Sequence, residues 1–260
     1  MKGWRARLGF LIPPGNPTIE CEMAEMAPPG VSVHFSRMVA PGEGGTLDGQ
    51  EERNRSQIEH IDESASLLAK VKPSVMMLAH TASSYTLGRN AEAELVKRMQ
   101  AEYRTTVATA FGSVVAALQA LGVKRIALGA PYTMEITLKG KALLEEHGFA
   151  VVSHGVLENV TNIFDETPER AYRLGRAVNT PQAEAVFLSG LGMPTIPILQ
   201  TLEQDLGKPV ISAASAVPGS AARAPRRGAA GPGSVIETST TPPPRQGTSG
   251  PSYPARQPDV

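Results

Sequence analysis

Cysteine is almost missing: the 260-residue chain has one, Cys21. That excludes a disulfide framework and fits a reducing compartment. Long apolar runs are missing too, since none approaches the ~20 residues that cross a bilayer. The start, MKGWRARLGFLIPPGNP, is basic, but its apolar run is short and meets two prolines. It reads as a first strand rather than a secretion signal, so the expected localisation is cytoplasmic, with no membrane partner. Net charge is also absent, at +0. No basic block sits on an expected helix face, so nucleic acid is not an expected partner. The one Arg cluster, RAPRRG, lies in a biased tail. From residue 213 onward there is no Leu, Phe, Met or Trp, and Pro, Ala, Gly, Arg, Ser and Thr dominate. Residues 213–260 therefore read as a disordered or non-native tail, such as a change of reading frame would give. Pro218 and Pro225 are expected to prevent a helix there.

What is present is an alternation. Apolar runs of strand length fall at 8–13, 31–38, 74–78, 125–130, 150–154, 185–189 and 209–212. Helical periods lie between them, at 16–26, 50–70, 88–103, 111–121, 134–147, 167–178 and 195–206. Short apolar runs alternating with helices read as βαβ units around parallel sheets. The pattern also repeats. RARLGFLIPPGN, from Arg5, resembles VKRIALGAPYTME, from Val123. KPSVMMLAHTASS, from Lys72, resembles PQAEAVFLSGLGM, from Pro181. The fold expected is α/β: two pseudo-symmetric halves, residues 1–104 and 105–212, each a parallel sheet with helices on both faces. Ligands of open α/β sheets bind at the carboxyl ends of strands. Two facing halves would bring the strand ends at 13–16, 80–84, 131–132 and 189–192 around one cleft.

These motifs resemble the aspartate/glutamate racemase superfamily, in the branch of maleate cis-trans isomerase and arylmalonate decarboxylase. The residues that carry the resemblance are GFLIPPGNPTIECEM, AHTASSYTLG, RIALGAPYTMEI, VTNIFDETP and FLSGLGMPTI…LEQDLGKPVISAASA. The resemblance implies two Rossmann-like halves that bind a small carboxylate or dicarboxylate between them, without metal or organic cofactor. It also implies a homo-oligomer, dimer or tetramer. In the family, cysteines at the paired strand ends move protons or attack the substrate. Those positions are His80 and Gly190 here, so thiol chemistry is not expected. Cys21 matches no catalytic position and is expected to pack as a small apolar residue.

By the same resemblance, Asn16, Thr81, Ser84 and Asn162 contact substrate, and Tyr132 points into the cleft. Amides around Thr81–Ala82 and Gly190–Leu191 complete an oxyanion cradle. Each residue also has a plainer reading. Asn16 and Asn162 serve as helix or turn caps, Thr81 and Ser84 as turn hydroxyls, and Tyr132 as a buried aromatic. His80 is a strand-capping histidine, a proton-transfer group or a cationic carboxylate clamp. Glu20, Glu22 and Glu25 read as a solvated helix face, and GEGG at 42–45 as a loop over the cleft. His34, His60, His147 and His154 show no metal-ligand spacing. The function expected is cofactor-independent proton transfer at the α-carbon of a small (di)carboxylate by His80 and Tyr132, through an enolate-like intermediate. Maleate isomerisation and arylmalonate decarboxylation both fit that intermediate. The alternative is a relative that binds carboxylates without turnover.

Overall fold

The computed structural model describes residues 3–222. The first half runs β1 (Ala6–Ile12), α1 (Thr18–Met26), β2 (Val31–Arg37), α2 (Gln50–Glu59), α3 (Ile61–Ala69), β3 (Val75–Leu78), α4 (Thr81–Tyr103), β4 (Thr106–Thr109) and α5 (Ala110–Ala120). The second runs β5 (Arg125–Ala130), α6 (Met134–Glu146), β6 (Ala150–Val156), α7 (Pro168–Val178), β7 (Ala185–Leu188), α8 (Leu199–Leu206), β8 (Val210–Ser212) and α9 (Ala213–Ala222). Single 3-10 turns precede α7 and α8.

Each half holds one parallel four-stranded sheet, ordered β2-β1-β3-β4 and β6-β5-β7-β8. The shared order confirms the duplication read from the sequence. In both sheets the chain leaves the first strand toward one edge and returns on its other side. That reversal opens a crevice at the carboxyl ends of β1 and β3, and again at those of β5 and β7.

The central strands β3 and β7 are apolar and buried at every position, because both of their faces are covered. In β3, Val75 and Met77 enter a core shared by the two halves. Met76 and Leu78 enter an outer core beneath α3 and α4. In β7, Ala185 and Phe187 join the shared core, while Val186 and Leu188 pack beneath α7 and α8. Strand alternation thus feeds two layers at once.

Several details differ from the sequence reading. Strand β4 was not expected, because TVAT carries no apolar run. It pairs with β3, so the first sheet extends past the boundary set at residue 104. The expected helix over 50–70 divides at His60 into α2 and α3. Helix α4 starts at Thr81 rather than Gly88, which instead forms a kink inside it. The prolines were expected to prevent a helix after β8, yet α9 forms through Pro218. Its first turns bury Ala213, Ala214, Ala216 and Val217 in the shared core against α5, and that burial outweighs weak local propensity. The tail expected beyond residue 222, RAPRRG included, lies outside the described residues.

Candidate active site

His80 ends β3 in extended backbone (φ −150°) and stands at the N-cap of α4. Its Nδ1 hydrogen-bonds Ser83 Oγ at 2.8 Å, which leaves Nε2 as the ring nitrogen without a partner among the described residues. Surrounding protein desolvates the imidazolium and pushes its pKa from 6.5 down to about 4. The ring is therefore neutral at pH 7.

Behind His80 lies a chain of hydroxyls. Tyr132 Oη meets Thr81 Oγ1 at 2.8 Å. Thr81 Oγ1 lies 3.3 Å from Ser189 Oγ, and Ser189 Oγ lies 2.8 Å from Tyr85 Oη. All four residues are buried. The chain crosses between the halves, since Thr81 and Tyr85 open α4 while Tyr132 and Ser189 follow β5 and β7. Burial raises both phenols, Tyr132 to about 12 and Tyr85 far above the usual range, so both stay protonated donors.

A small cleft lies over these strand ends. Asn16, His80, Tyr132 and Leu191 line it; Thr81, Ala82, Ser84, Asn162 and Gly190 do not. Asn16 Oδ1 accepts from the amides of Thr18 and Ile19, at 2.9 and 3.2 Å, and so caps α1. Its Nδ2 has no partner among the described residues. Thr81 and Ala82 sit behind the wall, Thr81 tied into the hydroxyl chain and Ala82 in the core. The Ser84 hydroxyl donates to Glu92 at 2.7 Å. Asn162 fastens the GEGG loop instead: its Nδ2 donates to Gly44 O at 3.0 Å, and the next amide, of Ile163, donates to Gly45 O at 2.8 Å. That loop covers the cleft, with Gly44 and Gly45 in its lining. Gly190 holds a left-handed conformation (φ +96°), and a Cβ there would stand 2.8 Å from Pro131 Cγ.

Two expectations about α1 fail. Cys21 is exposed, because the inward face of the helix is formed by Ile19, Glu22 and Met23. Glu22 is buried rather than solvated. Its Oε1 accepts the amides of Thr195 and Ile196, at 3.0 and 3.1 Å, in the second half. Desolvation raises its pKa from 4.5 to about 7, against the lowering effect of those two amides.

Sequence reasoning missed other lining residues. Gln50, Arg53, Asn54 and Gln57 project from α2 into the same cleft. Their i, i+3, i+4, i+7 spacing was a readable signal, but a polar stripe normally means a solvated face. Tyr85 was missed although it lies one helical turn after Thr81 on α4.

A model of the family described as arylmalonate decarboxylase matches residues 8–234. The chain belongs to the arylmalonate decarboxylase family. Among its curated relatives is the maleate isomerase of Nocardia farcinica, 29% identical over 81% of this chain and 86% of that one. The maleate isomerase of Geobacillus stearothermophilus is 28% identical over 80% and 87%. Among solved structures, a cysteine-to-serine mutant of the Nocardia farcinica enzyme carries a covalently bound succinylcysteine intermediate. It superposes with a TM-score of 0.76 at 25% identity, covering 84% of this chain and 92% of that one. An arylmalonate decarboxylase shares the fold at a TM-score of 0.66 and 24% identity, over 84% and 91%. The superfamily placement read from the strand-end motifs thus holds. No helix among the described residues is long and apolar enough to cross a membrane.

Proposed function

We propose that the protein is a cofactor-independent carbon-acid enzyme acting on a small dicarboxylate, by isomerisation or decarboxylation, without a thiol. The observation that carries this reading is that one cleft is lined both by His80, whose ring is held by Ser83, and by Tyr132, the end of a separate buried hydroxyl chain. A small dicarboxylate as ligand is supported by the related maleate isomerase structure that holds maleate.

In this reading one carboxylate sits at the unpaired Asn16 amide, in the cleft that His80 lines at the N-cap of α4, where a helix N-terminus favours an anion. As a saturated α-carbon loses a proton or CO₂, its electron pair moves into the remaining carboxylate. Maleate has no such carbon. Its isomerisation requires His80 Nε2 to add to one alkene carbon, giving an enolate at the other, then rotation about the C–C bond and expulsion of the imidazole. Tyr132 donates to the oxygen that gains charge, and reorientation of the Thr81, Ser189 and Tyr85 hydroxyls strengthens that donor. His80 Nε2 takes or returns the proton at carbon. A free-protein pKa of about 4 makes it a weak base, but a bound dianion beside the ring raises that value.

The test is proton NMR in D₂O with maleate, hydroxymalonate and methyl-phenylmalonate. Deuterium at an α-carbon, fumarate from maleate or CO₂ from either malonate is the expected outcome. His80→Ala should then lose turnover by roughly 10² to 10⁴. Silence on all three substrates, from folded protein, would remove the reading.

A second reading, a carboxylate binder without turnover, is favoured by one observation: the only thiol, Cys21, is exposed on α1. A binder would keep its ligand in His80→Ala and show no exchange in the wild type.

A further inference from the structure

The face of α2 in the cleft is chemically odd. Its first four inward positions are Gln50, Arg53, Asn54 and Gln57. A helix that buries one face normally buries apolar side chains there. Here Gln50, Asn54 and Gln57 are 7%, 2% and 4% exposed. Two of these amides are unsatisfied, since Oε1 of Gln50 and Oε1 of Gln57 are buried with no hydrogen-bond partner among the described residues. Native proteins leave few such atoms, and those that remain ask for an explanation. Asn54 is only weakly engaged, its Nδ2 lying 3.4 Å from Thr86 Oγ1. Arg53 adds a cation. Its guanidinium donates to the backbone carbonyls of Asp48 and Thr46, and no carboxylate lies within ion-pair distance of it among the described residues. The cleft that His80 and Tyr132 line is thus also lined by one positive charge and by two residues whose amide oxygens are unsatisfied.

We propose that the inward face of α2 is a specificity surface that selects dicarboxylates carrying a hydroxyl on the carbon between or beside the carboxylates. Arg53 attracts the second carboxylate. The hydroxyl donates to the orphan oxygens of Gln50 or Gln57, and because a hydroxyl also accepts, either amide orientation is satisfied. An aryl group in the same place would leave both oxygens buried and unpaired, and a site built for hydrogen bonds rejects a partner that lacks them more strongly than an apolar site rejects an extra group. The inference rests on the reading of this cleft as a dicarboxylate site.

Calorimetric titration of the full chain with malonate, hydroxymalonate and phenylmalonate tests it. Hydroxymalonate should bind about tenfold tighter than malonate, the scale of one hydrogen bond to a buried group otherwise unpaired, and tighter still than phenylmalonate. Gln50→Leu/Gln57→Leu should bring hydroxymalonate to within about twofold of malonate. Arg53→Met should weaken all three. Phenylmalonate binding as tightly as hydroxymalonate overturns the inference from the wild type alone, whether or not the variants fold. A double variant that keeps the hydroxyl preference overturns it too. Equal binding of all three together with turnover removes only the α2 proposal. A hydroxyl preference without turnover upholds it and removes the enzymatic reading. Binding of none removes both.

Discussion

The hydroxyls of Thr81 and Tyr132 meet at 2.8 Å across the seam between the two sheets, and Tyr132 is the end of that chain that faces the cleft. Tyr132→Phe keeps the ring packing and deletes the donor. Loss of one donor aimed at a developing oxyanion costs about 10² to 10³ in kcat. Thr81 keeps Ser189 as a partner, so the stability loss should stay near ~1 kcal/mol. Steady-state NMR rates and thermal melts read the two effects separately; an unchanged kcat would remove Tyr132 from the chemistry.

Two buried titrating groups pull stability in opposite directions with pH. Glu22 titrates near 7 in the folded chain against 4.5 ordinarily, so the folded state holds the extra proton between those values. Its contribution falls as pH rises from 4.5 to 7, by at most ~3 kcal/mol at about 1.4 kcal/mol per pH unit. His80 titrates near 4 against 6.5, so the unfolded state holds the extra proton, and stability falls as pH drops from 6.5 to 4. In the wild type these slopes offset each other across the shared window. Glu22→Gln should unmask the loss on acidification, and His80→Gln the loss on going toward neutrality. Chemical denaturation at half-unit pH steps checks this; parallel curves for all three proteins would contradict it.

A bound dianion must raise the depressed pKa of His80. Dicarboxylate binding should therefore take up a proton between about pH 4 and 6. Calorimetry in two buffers of different ionisation enthalpy measures that uptake. His80→Gln should abolish it, and uptake that persists in this variant would place the proton elsewhere.

His80 and Gly190, the positions at which the sequence resemblance implies cysteines in relatives, are not equivalent in this backbone. At His80 the extended φ accepts any residue, so His80→Cys should fold with little backbone cost. At Gly190 the left-handed φ of +96° and the 2.8 Å approach to Pro131 oppose any side chain. Gly190→Cys should cost about 1–3 kcal/mol and place its thiol only after the backbone moves. Thermal melts and thiol titration of both variants decide; equal stability would show that the loop relaxes freely.

One packing contact reaches the site from outside it. A Cβ at Gly140 on α6 would stand 2.7 Å from the Tyr85 ring, which is held through its hydroxyl by Ser189. Gly140→Ala should either spread α4 from α6 or break that hydrogen bond. A loss of about 1–3 kcal/mol is expected, as for other overpacked cores, with a fall in kcat. Full activity in this variant would detach Tyr85 from the working hydroxyl chain.

The legible parts of the fold are those with apolar saturation. VMML and AVFL declare themselves because both faces of a central parallel strand are buried. The strand ends were legible as a cleft because open parallel sheets place ligands there. TVAT was not, since two of its four residues are threonines at a sheet edge. Glu22 and the α2 stripe were misread or passed over for one reason: a polar helix face looks solvated until another element covers it. Helix α9 was missed because tertiary burial of its small residues overrode the local signal of Pro218.

The hydroxyl chain joins residues far apart along the polypeptide: Thr81 with Ser189, and Tyr85 with Ser189. In synthesis from the N-terminus, Thr81 and Tyr85 on α4 are made well before Ser189, their partner in the second half. Those buried hydroxyls have only water to bond until the second sheet docks. The cleft therefore exists only where the two halves are docked on each other.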